Sequence, residues 1–294
     1  MDNELTLGRV HIVEWLNAGD DDTGQKLFAE LQPMGTASQP KVEVDFSRID
    51  TTRELLGLLS AFTDQYRADT LTPLLHLETH GNEDGIGTDA EGIAWRDLAE
   101  ALVPLNHATR MKLVINLAAC SGVFGTTMLR PDFGPAPFRG LIGPRRELDE
   151  TEVLASCRAF YRTIFDQKDG NAALKAMNDA VTRTEETFWT MSAELAFKMA
   201  FQDYMVRGEG SPQGATIRAE AFATRRAAKV TAQRGASVPG AEVAEWRERA
   251  RAFLLNHEAR FDLEWRKFFY IDEFPENAER FDFTLEDCSA ADNA

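Results

Sequence analysis

Two short stretches of the 294-residue chain pair a reactive side chain with a backbone able to present it. Leu74-Leu75-His76-Leu77-Glu78-Thr79-His80-Gly81 is an apolar run ending in histidine and glycine, and Leu113-Val114-Ile115-Asn116-Leu117-Ala118-Ala119-Cys120-Ser121-Gly122 is one ending in cysteine. A thiol with a pKa near ~8.5 is mostly protonated at neutral pH, so it needs a neighbouring base to attack a carbonyl, and an imidazole is such a base. Gly81 lets a substrate carbonyl approach the backbone, and its N–H with that of Cys120 could stabilise the oxyanion of a tetrahedral intermediate. The chemistry these residues can do together is acyl transfer through a thioester.

Both runs must end at one edge for that chemistry to assemble. Val10 to Glu14 reads as a short apolar strand and Gln25 to Leu31, after the polar Gly19-Asp20-Asp21-Asp22 turn, as a helix. Lys41 to Phe46 alternates, with Val42, Val44 and Phe46 on one face, and Leu55, Leu56, Leu58, Leu59 and Phe62 mark a second helix. Leu74 to Thr79 is the third strand; the glycines at 81, 85 and 87 read as a hairpin rather than a phosphate loop, and Arg96 to Val103 as a helix closed by Pro104. Met111 to Leu117 and Phe138 to Ile142 complete the strands. Strands separated by helices favour a mainly parallel sheet covered on both faces, because parallel neighbours need crossovers. The expected fold class is therefore an α/β three-layer sandwich. Such sheets bind ligands outside the carboxyl ends of their strands, where His80 and Cys120 both fall. Those ends lie ~5 Å apart if the strands are neighbours and twice that if one intervenes.

Val153, Leu154, Cys157, Phe160, Tyr161, Ile164 and Phe165 then form one helical face, which makes Cys157 a core residue. Beyond about residue 183 no further strand is expected. Phe188 to Met205 is broadly apolar, Trp246, Ala250, Phe253, Leu254, His257, Phe261 and Trp265 form a helical stripe, and the end from Ile271 is acidic and expected to lie along the surface or fray, with Cys288 incidental. Residues 1–183 are read as the α/β domain and 184–294 as a helical C-terminal extension.

A hydrophobic strand ending in His-Gly, followed ~40 residues on by one ending in Ala-Cys, resembles the caspase-like peptidases of clan CD, whose bacterial members include the CHAT domains. The resemblance runs through Phe138-Arg139-Gly140-Leu141-Ile142-Gly143 and Phe160-Tyr161, covering about residues 8 to 183. It implies a caspase-like sandwich and a cysteine endopeptidase in which Cys120 is the nucleophile, His80 the general acid/base and Gly81 an oxyanion donor. No cofactor is implied; the partners are a protein or peptide substrate and, for a regulated bacterial protease, a separate activator or sensor. Where caspases proper carry Gln-Ala-Cys-Arg-Gly this chain has Ala118-Ala119-Cys120-Ser121-Gly122, so aspartate specificity is not implied. Asp20, Asp21, Asp22, Glu83, Asp84, Glu147 and Asp149 lie on loops at the strand ends and favour a basic residue before the scissile bond, against Arg145 and Arg146 on one loop.

Rival readings are a catalytically silent scaffold and an elbow-type α/β-hydrolase using Cys120 with His257. The hydrolase ranks lower because His257 is expected inside a long helix, packed rather than catalytic. Glu78 shares a strand face with His80 and is read either as its orienting group or, by slight preference, as a solvated edge residue. His11, His76 and His107 have no evident partner.

Composition bounds the rest. A hydrophobic fraction of 44% against 27% charged residues is globular, and a net charge of −16 disfavours sequence-independent binding to nucleic acid or anionic membranes. Arg225-Arg226 and Arg247 to Arg251 read as solvated helix faces. Three cysteines and five scattered histidines argue against a disulfide framework and a metal site. No signal-peptide pattern or long apolar span is seen, so a cytoplasmic protein is expected.

Overall fold

A computed structural model describes residues 5–68, 71–129, 134–181 and 186–289. Among the described residues eight strands form one sheet system: β1 (Leu7–Trp15), β2 (Glu43–Arg48), β3 (Thr72–Gly81), β4 (Gly85–Gly87), β5 (Gly92–Ala94), β6 (Val114–Ala118), β7 (Gly140–Pro144) and β8 (Phe188–Ser192). The central order is β2-β1-β3-β6-β7-β8, and β4 and β5 form a hairpin that continues from the end of β3. Strands β2 to β7 of that path run parallel, and β8 closes the edge antiparallel to β7.

The connections are α1 (Thr23–Ala37), α2 (Thr52–Gln65), α3 (Trp95–Ala108), α4 (Glu150–Gln167) and α5 (Gly170–Asp179). Alternation along each strand assigns the faces. Val13 and Trp15 of β1, Leu75 and Leu77 of β3 and Ile115 and Leu117 of β6 pack with Leu55, Leu59 and Phe62 of α2 and Leu98, Leu102 and Leu105 of α3. Val10 and Ile12, Leu74, and Val114 and Ala118 point the other way, into a core with Leu27 and Leu31 of α1 and Val153, Cys157, Phe160 and Tyr161 of α4. This is the mainly parallel α/β sandwich expected from the sequence.

The described residues up to 129 and from 136 to 193 form one compact unit; those at 134–135 and from 194 to 289 form a second. The second carries α6 (Ala193–Val206, beginning at the boundary), α7 (Pro212–Arg234), α8 (Gly240–Leu255), α9 (His257–Phe268) and the short α10 (Asn277–Arg280) and α11 (Leu285–Ser289). Its core is aromatic: Phe269 stacks on Phe281 at 4.4 Å, and Phe197 meets Phe268 edge-on at 5.3 Å.

Four expectations change. β8 lies beyond the last expected strand; its five residues sit inside an apolar stretch whose periodicity alone does not separate strand from helix. α3 runs through Pro104 to Ala108, because Leu102 and Leu105 on either side are both held in the core. The expected stripe from Trp246 to Trp265 breaks at Asn256, which caps α9 by accepting from the Ala259 N–H, so His257 opens a helix rather than lying inside one. The acidic end is packed as far as Ser289, residues 290–294 lying outside the described residues: Ile271, Phe281, Phe283 and Cys288 are buried, since apolar side chains spaced among the acids find one aromatic core.

Candidate functional site

Strand β3 pairs with β6 directly, with Leu74 opposite Val114, His76 opposite Asn116 and Glu78 opposite Ala118. Carried two residues further, that register sets His80 opposite Cys120. The ends are close: a Cβ placed on Gly81 would come within 2.7 Å of the Cys120 carbonyl oxygen, so only glycine fits there. Gly81 also lies between the hydrogen-bonded Asn82–Gly85 pair and the His80–Gly87 pair of the hairpin, which turns its own N–H away from β4.

After Cys120 the chain turns sharply. Ser121 has φ 56°, a left-handed conformation that a side chain adopts at a cost of about 1 kcal/mol or more. Gly122 then packs backbone to backbone on β7, where a Cβ on Gly143 would meet the Gly122 carbonyl carbon at 2.9 Å. The Cys120 thiol is half-buried and points its S–H towards the Leu148 carbonyl, 3.9 Å away.

The histidine has a partner that its sequence neighbourhood does not contain. His80 Nε2 lies 2.7 Å from Asp20 Oδ2, and the Asn17 N–H donates to the same oxygen at 2.7 Å. The hydrogen bond from His80, the largest effect, outweighs burial and, with a smaller contribution from the Asn17 N–H, holds the Asp20 carboxyl below its ordinary range. A carboxylate only accepts, so this contact places the proton on Nε2 and leaves the Nδ1 lone pair of the neutral ring for another donor. Asn17 also accepts from the Asp89 N–H at 2.8 Å, tying the loop after β1 to the hairpin. The hairpin and His80 enclose a hollow of about 340 Å³ whose polar lining includes Asn82, Asp84, Thr88 and Asp89.

One register step deeper lies a buried polar cluster. The Tyr161 hydroxyl is 3.0 Å from His76 Nδ1, His76 Nε2 is 2.9 Å from Glu78 Oε2, and the Thr23 hydroxyl donates to Glu78 Oε1 at 2.7 Å. Glu78 is thus neither a solvated edge residue nor the orienting group of His80. His76, expected to lack a partner, has two, and His11 has Ser47 at 2.9 Å, with burial pushing the His11 pKa down to about 4. His107 lies in the last turn of α3.

The seven loop acids separate by partner. Asp20 faces His80, Asp21 pairs with Lys26 at 2.7 Å, and Asp22 pairs with Arg48. Asp149 caps α4 by accepting from the Glu152 N–H at 2.8 Å. Glu83, Asp84 and Glu147 are exposed. Of the opposing arginines, Arg145 lies over the Trp189 ring and Arg146 donates to Thr187. His257 Nε2, within the second unit, is 2.8 Å from the Gly210 carbonyl oxygen, which occupies the nitrogen a hydrolase would use. Among the described residues no cluster of His, Cys, Asp and Glu has a metal-holding arrangement, and no helix is long and apolar enough to cross a membrane.

No protein-family model and no curated protein sequence matches the chain. Among solved structures it is similar to iotapain, a secreted C11 cysteine protease from Bacteroides thetaiotaomicron, with a TM-score of 0.45 and 10% identity over 71% of this chain and 74% of that one.

Proposed function

We propose that this protein is a cysteine endopeptidase with Cys120 as nucleophile, His80 as general acid/base and Asp20 as the group that orients His80. The observation that carries the reading is the Asp20–His80 contact of 2.7 Å on the strand end that faces Cys120. A surface histidine has no need of a fixed carboxylate; one that must present Nδ1 to a thiol does.

In this mechanism Nδ1 takes the thiol proton as Sγ attacks the peptide carbonyl carbon. The oxyanion is met by the N–H groups of Gly81 and Cys120, and His80 returns the proton to the leaving amine. Water, deprotonated by the same ring, then attacks the thioester; its proton passes to Sγ as the acid leaves. Asp20 stays ionised and stabilises the imidazolium at each stage. The Cys120 S–H is directed at Leu148, so attack requires rotation of its side chain towards the ring. Substrate or a separate activator supplies that rearrangement, which makes the protease a regulated one.

The same thiol orientation favours the second reading, a silent scaffold that binds a partner. Peptide-library cleavage by the wild type, by Cys120→Ala and by His80→Ala separates them. The peptidase reading expects turnover in the wild type alone, with the double variant no worse than either single one. Turnover that survives Cys120→Ala, or thiol reactivity at Cys120 unaffected by His80→Ala, would sink it.

A further inference from the structure

Helices α7 and α8 bury unusually little for their length. The 23 residues of α7 bury only Ala215, Ala219 and Ala223, a stripe of methyl groups, and the 16 residues of α8 bury only Leu254. Helices in water are held mainly by packing of an apolar face, since propensity alone leaves them marginal. Here apolar side chains remain outside instead: Ile217, Phe222 and Phe253 are 64%, 41% and 45% exposed.

Phe222 and Phe253 flank a groove of about 500 Å³ along these helices. Its charge is opposite to that of the protein. Five arginines line it against one acid, Glu209, in a chain of net charge −16. Three of the five have carboxylate partners: Arg218 with Glu209 at 3.0 Å, Arg249 with Glu245 at 2.5 Å and Arg260 with Glu264 at 2.5 Å. Arg225 and Arg226 form no ion pair among the described residues, and the Arg226 guanidinium sits 4.7 Å above the Trp246 ring. That stacking removes water from one side of the cation while its N–H groups stay available.

We propose that this groove is a docking site for an acidic peptide segment of a partner protein, with carboxylates on Arg225 and Arg226 and an aliphatic or aromatic anchor between Phe222 and Phe253. Two guanidiniums without a carboxylate partner, Arg225 with only its Nε engaged by the Ala221 carbonyl and Arg226 resting on Trp246, lie beside the half-exposed Phe222 and Phe253 side chains and match a carboxylate followed by an apolar side chain. A nucleotide fits less well, because Arg226 already covers the Trp246 face on which a base would stack. The overall negative field opposes acidic ligands, so any that bind must do so through this local arrangement.

The test pans a phage-displayed random peptide library on the full chain and compares recovered peptides on the Arg225→Glu/Arg226→Glu and Phe253→Ala variants. All three substituted positions are exposed, and matched circular dichroism and melting confirm folding. The expected result is recovery of peptides with two or more acids beside Leu, Phe or Trp, bound at least tenfold more weakly by each variant and by wild type at raised salt. Recovery of no peptide, of peptides without acidic enrichment, or of peptides that bind the charge-reversed protein equally well overturns the proposal. So does a fluorescent single-stranded oligonucleotide that binds through the same arginines more tightly than any recovered peptide.

Discussion

Glu14 and Glu78 face each other across β1 and β3, and both buried carboxylates hold the first turn of α1. Glu14 accepts from the Gln25 N–H at 3.1 Å and Glu78 from the Thr23 hydroxyl at 2.7 Å. Arg48 lies 3.1 Å from Glu14 and also pairs with Asp22, so one cation offsets part of the buried negative charge. A helix N-terminus attracts anions, which makes α1 the natural place to satisfy them. The consequence reaches the edge of the sheet: this clamp fixes the end of the loop that carries Asp20 to His80.

Glu78→Ala is therefore expected to destabilise the fold by ~3 kcal/mol, because it leaves His76 and Thr23 buried without their acceptor. Glu78→Gln, which keeps an acceptor oxygen, costs less. Urea melts check this; equal stability of Glu78→Ala and wild type would contradict the clamp.

Burial, opposed by its hydrogen bonds and by Arg48, raises the Glu14 carboxyl above its ordinary value. A raised folded-state pKa means that the folded protein binds the proton more tightly. Its contribution is therefore full below the unfolded value of ~4.3 and is lost as pH rises through the folded one. Melting temperatures of Glu14→Gln minus wild type should increase from about pH 4 towards neutrality, and a difference independent of pH would refute the assignment.

Local pattern made legible what is local. The strands around His80 and Cys120, the hairpin at the glycines and the buried face of Cys157 follow from runs a few residues long, and the parallel order follows from the helices between them. Partners across the sheet were not legible. Asp20 is 60 residues from His80, Thr23 is 55 from Glu78 and Tyr161 is 85 from His76. Alternation shows that Glu78 and His80 share a face, but only burial decides that Glu78 turns inward to His76 while His80 reaches the loop after β1. A signal for Asp20 existed: if β1 and β3 are neighbours, the loop after β1 must pass the end of β3.

Asp20→Asn should lower turnover by roughly 10²–10⁴-fold with little change in melting temperature at neutral pH. The amide can donate to Nε2, which moves the ring proton to Nδ1 and removes the base that Cys120 needs. Cys120 alkylation rates across pH are the second readout: a variant that binds substrate less well but keeps the wild-type alkylation profile would show that Asp20 serves the pocket and not the histidine.

Iodoacetamide at near-neutral pH should label Cys120 at least a hundredfold faster than Cys157 or Cys288. Burial drives the Cys157 thiol well above its ordinary value and that of Cys288 to about 12, so neither offers thiolate, and neither is exposed. Mass spectrometry of the folded, activated protein reads the order directly. Labelling of Cys288 as fast as Cys120 would end the dyad assignment.

Cleavage should be preferred after Arg or Lys, although for a narrower reason than seven loop acids. Asp20, Asp21, Asp22 and Asp149 are engaged by His80, Lys26, Arg48 and the α4 N-terminus, which removes them from direct substrate pairing. Of the three that remain, Glu83, Asp84 and Glu147, only Asp84 lines the hollow beside His80, and there the exposed Asp89, not among the seven, joins it to meet a cationic side chain of a bound peptide. The opposing arginines are similarly reduced, since Arg146 is held by Thr187 and Arg145 lies on Trp189. Exposed charge pairs are worth only ~0.2–1 kcal/mol each, so the expected discrimination is modest, up to about tenfold in kcat/KM, and should fall in Asp84→Asn. A fluorogenic library that shows preference for Asp or Leu at this position, or an Asp84→Asn variant with unchanged selectivity, would refute the basic subsite while leaving Cys120 and His80 in their roles.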